Sequence, residues 1–247
     1  MPAPAQSRPR TFFPTAINMY RQCPERYYRH YILKKRRPQP FSRPLLTGGA
    51  THRLIARVLP TFMRTGQKPK DLLPDALREV STSEYPPEEV DQRERDAADV
   101  VEWTFRALDM LPERSSLRLQ ERQLYAPLGK SGVEIGAQVD VILQRSCGTV
   151  EHIDFKTGKV RDNTVQNLIA RAVVGRHFGN APGILTSTLY LRHGQYQSAE
   201  LTADGSRLEW QGIARDIREI RSLGRFPPNP GPLCEFCPYQ SRDCSVW

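Results

Sequence analysis

The chain has 247 residues, of which 38% are hydrophobic, so it can bury one substantial core but is short for two full domains and a linker. Its 36 lysines and arginines outnumber 27 aspartates and glutamates, and the formal net charge of +9 favours a polyanionic partner such as nucleic acid, although basic proteins need not bind DNA. No apolar run approaches the roughly 18 residues that span a membrane, and the N-terminus lacks the apolar segment of a signal peptide, so we expect a soluble cytoplasmic protein.

The N-terminal region combines a predicted helix with a basic run. Residues 1–10 predict a flexible tail, and the apolar spacing over 14–33 favours a helix. Four consecutive basic residues follow this helix. Such a run is usually solvated surface, but after several tyrosines it suits a nucleic-acid strand, whose bases stack on aromatic rings and whose phosphates pair with cations. The predicted DNA-binding residues are Tyr27, Lys34, Lys35, Arg36 and Arg37.

Further along the chain, the hydrophobic period changes from helical to strand-like. Helical spacing follows Gly48 and Gly49 and recurs over 87–108. Alternating or continuously apolar segments then predict three strands, over 117–125, 133–143 and 149–155. The remaining predicted elements are a helix over 163–177, strands over 184–191 and 196–201, and a helix over 206–223.

This order of elements predicts a single α/β domain over 11–247. Its first part, 11–112, is mainly helical, and 113–223 forms a catalytic α/β core. The tail over 224–247 is rich in proline and cysteine, so we expect something other than regular hydrogen bonding to hold it.

Two aspartates flank a predicted hairpin turn over 145–148, centred near Cys147. Asp140 and Asp154 lie equally far from this centre. In an antiparallel hairpin of that register, their carboxylates stand directly opposite each other, with Cβ atoms about 4.5 to 5.5 Å apart. Lys156, two residues after Asp154, projects from the same face. A shift of one residue in the register of the hairpin would move the two carboxylates to opposite faces.

Opposed carboxylates repel each other, so the arrangement requires a cation, and hard oxygen ligands favour Mg²⁺ or Mn²⁺. A divalent ion can polarise a phosphate and activate a water, while the Lys156 ammonium can orient that water or stabilise the developing charge. The pattern therefore predicts phosphodiester hydrolysis. The simpler alternative is a solvated ion pair between Asp154 and Lys156. The apolar neighbours Ile153 and Phe155, together with the opposed Asp140, favour the metal site.

Three further polar residues are candidates for the same site. A neutral His52 imidazole could supply a third metal ligand, although a single histidine more often caps or packs. Glu121, within a predicted strand, could contact the metal through water or hold Lys156. Gln166, near the start of a helix, could connect the site to a phosphate or a water. Each of these residues alone would also suit an ordinary solvent-facing side chain.

Taken in chain order, these motifs resemble the PD-(D/E)XK nuclease superfamily, specifically the RecB-type branch that includes the AddB nuclease domain and CRISPR-associated adaptation nucleases. The chain departs from the family pattern at Asn167 and Ala170, where the family has leucine and an aromatic residue. The matching segments cover nearly the whole chain. They are INMYRQCPERYYRHYIL at 17–33, GGATH ending at His52, Glu121 in a strand, GAQVD ending at Asp140, IDFKTG at 153–158, Gln166 in a helix, and CEFC at 234–237 with a later cysteine.

The resemblance implies a restriction-endonuclease-like core, in which helices flank a mixed central sheet. It implies that His52, Asp140, Asp154 and the carbonyl of Phe155 bind the metal and that Lys156 is the catalytic lysine. The implied activity is exonucleolytic hydrolysis of single-stranded or frayed DNA ends in repair, recombination or CRISPR adaptation. The implied partners are DNA and either a helicase or CRISPR integration subunits.

Five cysteines without an export signal favour metal ligation or idle thiols over a disulfide framework. Four thiolates suit either a [4Fe-4S] cluster or structural zinc, and their spacing alone favours neither. The family resemblance implies the iron-sulfur cluster. Its ligands would be Cys23, Cys234, Cys237 and Cys244, with Cys147 left over. Such a cluster would tie the two ends of the chain together.

Two other functions remain compatible with the sequence. One is a non-catalytic DNA-binding adaptor within a helicase-nuclease or integration complex, which the intact Asp140, Asp154 and Lys156 disfavour. The other is a zinc-stabilised binding protein without hydrolytic activity. The sequence has no G-x-x-x-x-G-K-[ST] motif, so we expect any ATP-driven unwinding to come from a partner.

Overall fold

A mixed β-sheet forms the centre of the protein. The structure is a computed structural model that describes residues 9–35, 42–80, 85, 87–129, 132–199, 203–239 and 244. The strands are β1 (Thr11–Phe12), β2 (Ser115–Pro127), β3 (Glu134–Arg145), β4 (Val150–Lys156), β5 (Ile184–Tyr190) and β6 (Gln195–Ser198). The α-helices are α1 (Pro14–Gln22), α2 (Pro24–Tyr27), α3 (Arg43–Thr65), α4 (Leu73–Glu79), α5 (Arg93–Asp109), α6 (Thr164–His177) and α7 (Ala203–Ser222). Shorter turns are a π-helical turn at Tyr28–Ile32 and 3₁₀ turns at Pro87–Gln92 and Pro232–Phe236.

Strand β3 organises the sheet because it has neighbours along both edges. One edge pairs with antiparallel β2 over nearly its whole length. The other edge pairs with parallel β1 near the start of β3 and with antiparallel β4 near the end of β3. Parallel β5 follows β4 through the α6 crossover, and antiparallel β6 completes the sheet. The middle of β3, which contains Asp140, therefore lies where β4 stops pairing with β3, while β4 stays paired with β5.

Helices cover both faces of the sheet. One buried cluster includes residues of α1, α6 and α7 together with Val150, and a second includes residues of α3 and α5 together with Ile153 and Phe155. Because alternate residues of a strand face opposite sides, the two clusters lie on opposite faces of β4. The predicted α/β class with a mixed, helix-flanked sheet is confirmed. Within the described part of the chain, no helix has the length and apolar character needed to cross a membrane.

The predicted helix over 14–33 is wrong as a single element. It breaks at Cys23, whose backbone is extended at φ −161° and ψ 107°. Pro24 causes this break, because the proline ring disfavours helical geometry in the residue before it. Helix α3 also begins earlier than predicted, at Arg43, so Gly48 and Gly49 lie inside it and His52 lies well within the helix.

The first part of the C-terminal tail packs against these N-terminal helices. Phe226 stacks on Tyr28 with ring centroids 5.1 Å apart. The Glu25 amide donates to the carbonyl of Pro227 at 3.2 Å, and the Asn229 side-chain amide donates to the carbonyl of Gln22 at 3.0 Å. The two ends of the chain therefore meet beside the Cys23 break.

The prediction that Tyr27 stacks on a DNA base is wrong. Its side chain is completely buried, and its ring lies 5.8 Å from Tyr20 and 6.1 Å from Phe226. The tyrosine is apolar core between α1, α2 and the tail, and it has no face open to a base. Lys34 and Lys35 are exposed, whereas Arg36 and Arg37 lie outside the described residues.

Asp96 on α5 fixes the start of α3. Its buried carboxylate accepts hydrogen bonds from Arg43 Nη2 at 2.8 Å and from the Tyr85 hydroxyl at 2.7 Å. Burial alone would raise the pKa of Asp96, but its bonds to Arg43 and Tyr85 hold that pKa below the ordinary value. Because Arg43 is the first residue of α3, this contact sets the position of the helix that carries His52.

We expect Asp96→Asn to lower the free energy of unfolding by about 2 kcal/mol near neutral pH, because hydrogen bonds to a charged group contribute about 1.5 to 3 kcal/mol. The folded-state pKa of Asp96 lies below its unfolded-state value of about 3.9. The carboxylate therefore stabilises the fold above that pH and loses its contribution as the pH falls through the folded-state pKa. Urea unfolding followed by circular dichroism should show a difference from wild type at neutral pH that narrows towards pH ~3.

Asp99→Asn is the matched control, since Asp99 lies on the exposed side of the same helix. Its free energy of unfolding should stay within about 0.5 kcal/mol of wild type. Equal stability of wild type and Asp96→Asn at neutral pH would contradict the anchoring role.

Candidate active site and metal centre

Three strands place acidic residues in one row across the sheet. Strands β3 and β4 pair Val141 with Ile153, and one further step in the same register brings Asp140 opposite Asp154. The register between β2 and β3 likewise brings Glu121 beside Asp140, because Gln120 pairs with Val141. The hairpin register expected from the turn near Cys147 is therefore the observed one. Asp140 is the centre of the row Glu121, Asp140, Asp154.

Asp140 is buried and held by its neighbours. Its Oδ2 accepts the backbone N–H of Phe155 at 2.8 Å, at the point where β3 and β4 stop pairing. Its Oδ1 lies 3.5 Å from His52 Nδ1. Burial by itself would raise the pKa of Asp140, but His52, the Phe155 amide and Lys156 together hold it below the ordinary value. Asp140 is therefore ionised at neutral pH.

His52 reaches this row from α3. Its Nε2 lies 3.0 Å from the carbonyl oxygen of Phe155, and its Nδ1 lies 4.0 Å from Glu121 Oε1. Gly48, one helical turn earlier, permits the approach, because a Cβ there would lie 3.0 Å from Thr157 Oγ1. Burial opposes the charged imidazole, but the surrounding carboxylates raise the pKa of His52 to about 9. The protonated ring thus supplies positive charge among the acids.

Asp154 lies in the row with a cation and an amide beside it. Lys156 Nζ is 3.1 Å from Asp154 Oδ1 and 2.9 Å from Oδ2, and Gln166 Nε2 donates to Oδ1 at 2.6 Å. Burial and the nearby Asp140 charge raise the pKa of Asp154 to about 6, against the opposing effect of Lys156. For Lys156, burial lowers the pKa, but Asp154 and Asp140 outweigh it and raise the pKa above its ordinary value. The ammonium is therefore charged.

Glu121 occupies an irregular position in β2. Its φ of 45° lies in the left-handed region, which costs free energy for a residue other than glycine. Its Oε2 accepts a long hydrogen bond from Gln138 at 3.5 Å. Burial and Asp140 raise the pKa of Glu121, against His52. The strained backbone directs this carboxylate towards His52 and Asp140.

The donor set matches a hard divalent cation. One oxygen each from Glu121 and Asp140 and one ring nitrogen from His52 lie within 4.8 Å of one another. The buried carboxylate of Asp154 lies outside this group, and its pKa is raised by burial and by the nearby Asp140 charge. Clustered carboxylates with one imidazole are ligands for Mg²⁺ or Mn²⁺. The predicted site residues His52, Glu121, Asp140, Asp154, Lys156, Gln166 and the Phe155 carbonyl therefore come together in one place.

Sequence reasoning missed the role of Tyr190. This buried residue on β5 pairs with Lys156, and its hydroxyl accepts from Asn163 Nδ2 at 2.7 Å and donates to the carbonyl of Arg161 at 3.0 Å. It ties the loop before α6 to the strand beside the lysine. Within an apolar strand, a tyrosine gives no sequence signal for such a long-range contact.

The four cysteines named as cluster ligands line a single cavity of about 340 Å³. Cys23 reaches it from the break between α1 and α2, and Cys234, Cys237 and Cys244 reach it from the tail. Among the residues that the structure describes, no three of their Sγ atoms lie within 4.8 Å of one another. Tetrahedral zinc with bonds of about 2.3 Å would hold its sulfurs only about 4 Å apart. The four sulfurs are therefore spaced more widely than the ligands of a single zinc ion.

Comparisons with known proteins show the family to which the chain belongs. Residues 11–242 match the family described as the PD-(D/E)XK nuclease superfamily. No curated protein matches the sequence. The crystal structure of a "putative exonuclease" from Eubacterium rectale shares 12% identity, with 96% of this chain and 90% of that chain covered at a TM-score of 0.50. The crystal structure of SSO0001 also shares 12% identity, with 93% and 84% covered at a TM-score of 0.43. At such identity, the first likeness bears on the fold alone.

Proposed function

Because the chain belongs to the PD-(D/E)XK nuclease superfamily, we propose that it is a Mg²⁺- or Mn²⁺-dependent deoxyribonuclease that acts as an exonuclease on single-stranded or frayed DNA ends. The observation that carries this proposal is the row Glu121, Asp140, Asp154 with Lys156 beside it. A row of acids without a cation would be repulsive. The side chains of His52, Glu121 and Lys156 are partly exposed, and a substrate phosphate would approach the row from their side.

The metal would be held by His52, Asp140, Asp154 and the Phe155 carbonyl, with Glu121 as a further oxygen donor. When bound, the ion would lower the pKa of a coordinated water and neutralise charge on the phosphate. His52 would bind as the neutral imidazole, because a protonated ring has no lone pair for a metal.

The other polar residues of the site would act on the substrate and on the metal ligands. The Lys156 ammonium would stabilise the negative charge that develops on the phosphate oxygens. Gln166 would position Asp154, because its amide occupies one side of Oδ1 and fixes the orientation of the carboxylate. Exposed Lys34 and Lys35 and the net charge of +9 would attract the DNA backbone. A partner helicase or CRISPR integration subunits would supply the DNA ends.

We expect wild type to degrade end-labelled linear single-stranded DNA in Mn²⁺ or Mg²⁺ and to leave circular single-stranded DNA intact. Asp154→Ala should lower the rate at least about 100-fold, because it removes a metal ligand together with the partner of Lys156. Asp99→Asn, which is remote from the site on α5, should retain the wild-type rate.

Three results would contradict all or part of the proposal. Equal degradation by wild type and Asp154→Ala would remove this residue from the chemistry. DNA binding by wild type without metal-dependent cleavage would favour the non-catalytic adaptor. Cleavage of circular DNA would keep the nuclease but overturn the exonuclease assignment.

We also propose that Cys23, Cys234, Cys237 and Cys244 bind a [4Fe-4S] cluster. All four thiols line one cavity, and a cubane cluster holds its ligand sulfurs further apart than a single zinc ion does. The cluster would close a loop of about 200 residues, which corresponds to roughly 5 kcal/mol of unfolded-chain entropy. Its role would be structural, because it would fix the tail against α1 and α2 beside Phe226 and Asn229.

Anaerobically purified wild type should be brown, with broad visible absorbance and about four iron atoms per chain. Cys23→Ser should lose the absorbance and unfold at lower temperature, because the N-terminal ligand is gone. Cys147→Ser is the matched control, since Cys147 is exposed in the β3–β4 turn and should leave both unchanged. Stoichiometric zinc without iron in wild type would contradict the cluster and favour a structural zinc site.

A further inference from the structure

A polar cleft opens beside the acidic row, on the far side of Asp154 from Asp140. Its volume is about 480 Å³, within the range of about 300 to 1,000 Å³ typical of small-ligand sites. The loop before α6, the start of α6 and strands β5 and β6 form its walls. Its lining includes Arg161, Asp162, Asn163, Asn167, Thr188 and Gln197.

Two connections place this cleft next to the proposed active site. Thr188 on β5 is the direct neighbour of Asp154 on β4. Gln166, whose amide donates to Asp154, immediately precedes Asn167 in α6. The cleft therefore begins one strand beyond Asp154, on the side away from Asp140.

The polar groups of the cleft are only partly used by the protein itself. The Oδ1 atom of Asn167 is buried and has no hydrogen-bond partner among the described residues. A buried polar atom without a partner costs free energy that a bound ligand or water would recover. Asp162, which also lines the cleft, is already hydrogen-bonded within the protein. Its Oδ1 accepts hydrogen bonds from both the amide and the hydroxyl of Thr164. The Arg161 guanidinium forms no ion pair within the described part of the chain, so its charge is available.

Hydrogen bonds fix one wall of the cleft, the loop before α6. Tyr190, which neighbours Lys156, holds Asn163 and the backbone of Arg161 through its hydroxyl. The loop that carries the arginine is thus fixed relative to the catalytic strand. A preformed wall binds a ligand without the entropy cost of ordering a flexible loop.

We propose that this cleft binds the nucleotide of the DNA strand adjacent to the scissile phosphate. The inference rests on the proposed nuclease function and deepens it by assigning a substrate subsite. Asn167 and Gln197 would contact the base edge, since side-chain amides pair well with the donors and acceptors of bases. Arg161 would contact the neighbouring phosphate, since a guanidinium is suited to phosphate oxygens.

The test compares wild type with the double variant Asn167→Ala/Gln197→Ala on linear single-stranded DNA in Mn²⁺. We expect KM to rise about tenfold while kcat stays nearly unchanged, because the lost contacts bind substrate without touching the reacting atoms. Fluorescence anisotropy without added divalent metal should show a similar loss of DNA affinity. Gln211→Ala, an exposed glutamine on α7, is the control and should match wild type in both assays.

A second substrate separates base contact from a general structural effect. DNA with abasic sites has no base edges, so wild type and the double variant should bind it equally. Unchanged KM and affinity in the double variant on ordinary DNA would overturn the subsite. An equal loss on ordinary and abasic DNA would also overturn it, because the lost contact would not involve the base. Since the anisotropy assay needs no cleavage, a failure of the nuclease proposal alone would leave wild-type binding above that of the double variant.

Discussion

The repulsion among carboxylates brought together by three strands is the constraint on which the site depends. Glu121, Asp140 and Asp154 lie in adjacent strands, so their separation is set by the spacing of the sheet. Burial and the charge of Asp140 both raise the pKa of Asp154, so each disfavours its ionised form. His52 and Lys156 provide the balancing positive charge within the protein itself. A divalent ion would supply a stronger and more localised charge in the same place.

The surrounding helices bring His52 and Gln166 to the row, whereas Lys156 lies on β4 itself. Helix α3 begins at Arg43, which Asp96 holds, and Gly48 lets the helix approach the end of β4 closely enough for His52 to reach the Phe155 carbonyl. On the other side of β4, Gln166 of α6 donates a hydrogen bond to Asp154. The N-terminal helices and the tail meet around Phe226 and lie in the cluster that packs under α6 and α7. Packing far from the carboxylates therefore positions the His52 and Gln166 side chains around them.

The parts of the site that could be predicted from sequence are those set by local spacing. The turn near Cys147 fixes the register of a short hairpin, so Asp140 and Asp154 could be placed opposite each other without knowledge of the rest of the fold. Long-range contacts had no such signal. Tyr27 belongs to an aromatic cluster completed by residues from the other end of the chain, and its burial depends on Phe226. The two-residue strand β1 and the short helix α4 are likewise defined by their neighbours, since elements of that length have weak intrinsic preferences.

Diffraction from crystals grown with Mn²⁺, recorded at the manganese absorption edge, tests most directly whether the acidic row is a metal centre. We predict an anomalous peak within about 2.5 Å of side-chain atoms of both Asp140 and Asp154, with His52 completing the ligand set. A peak that contacts neither aspartate, or an acidic row without manganese at saturating concentration, would contradict the shared-ion geometry and with it the proposed chemistry.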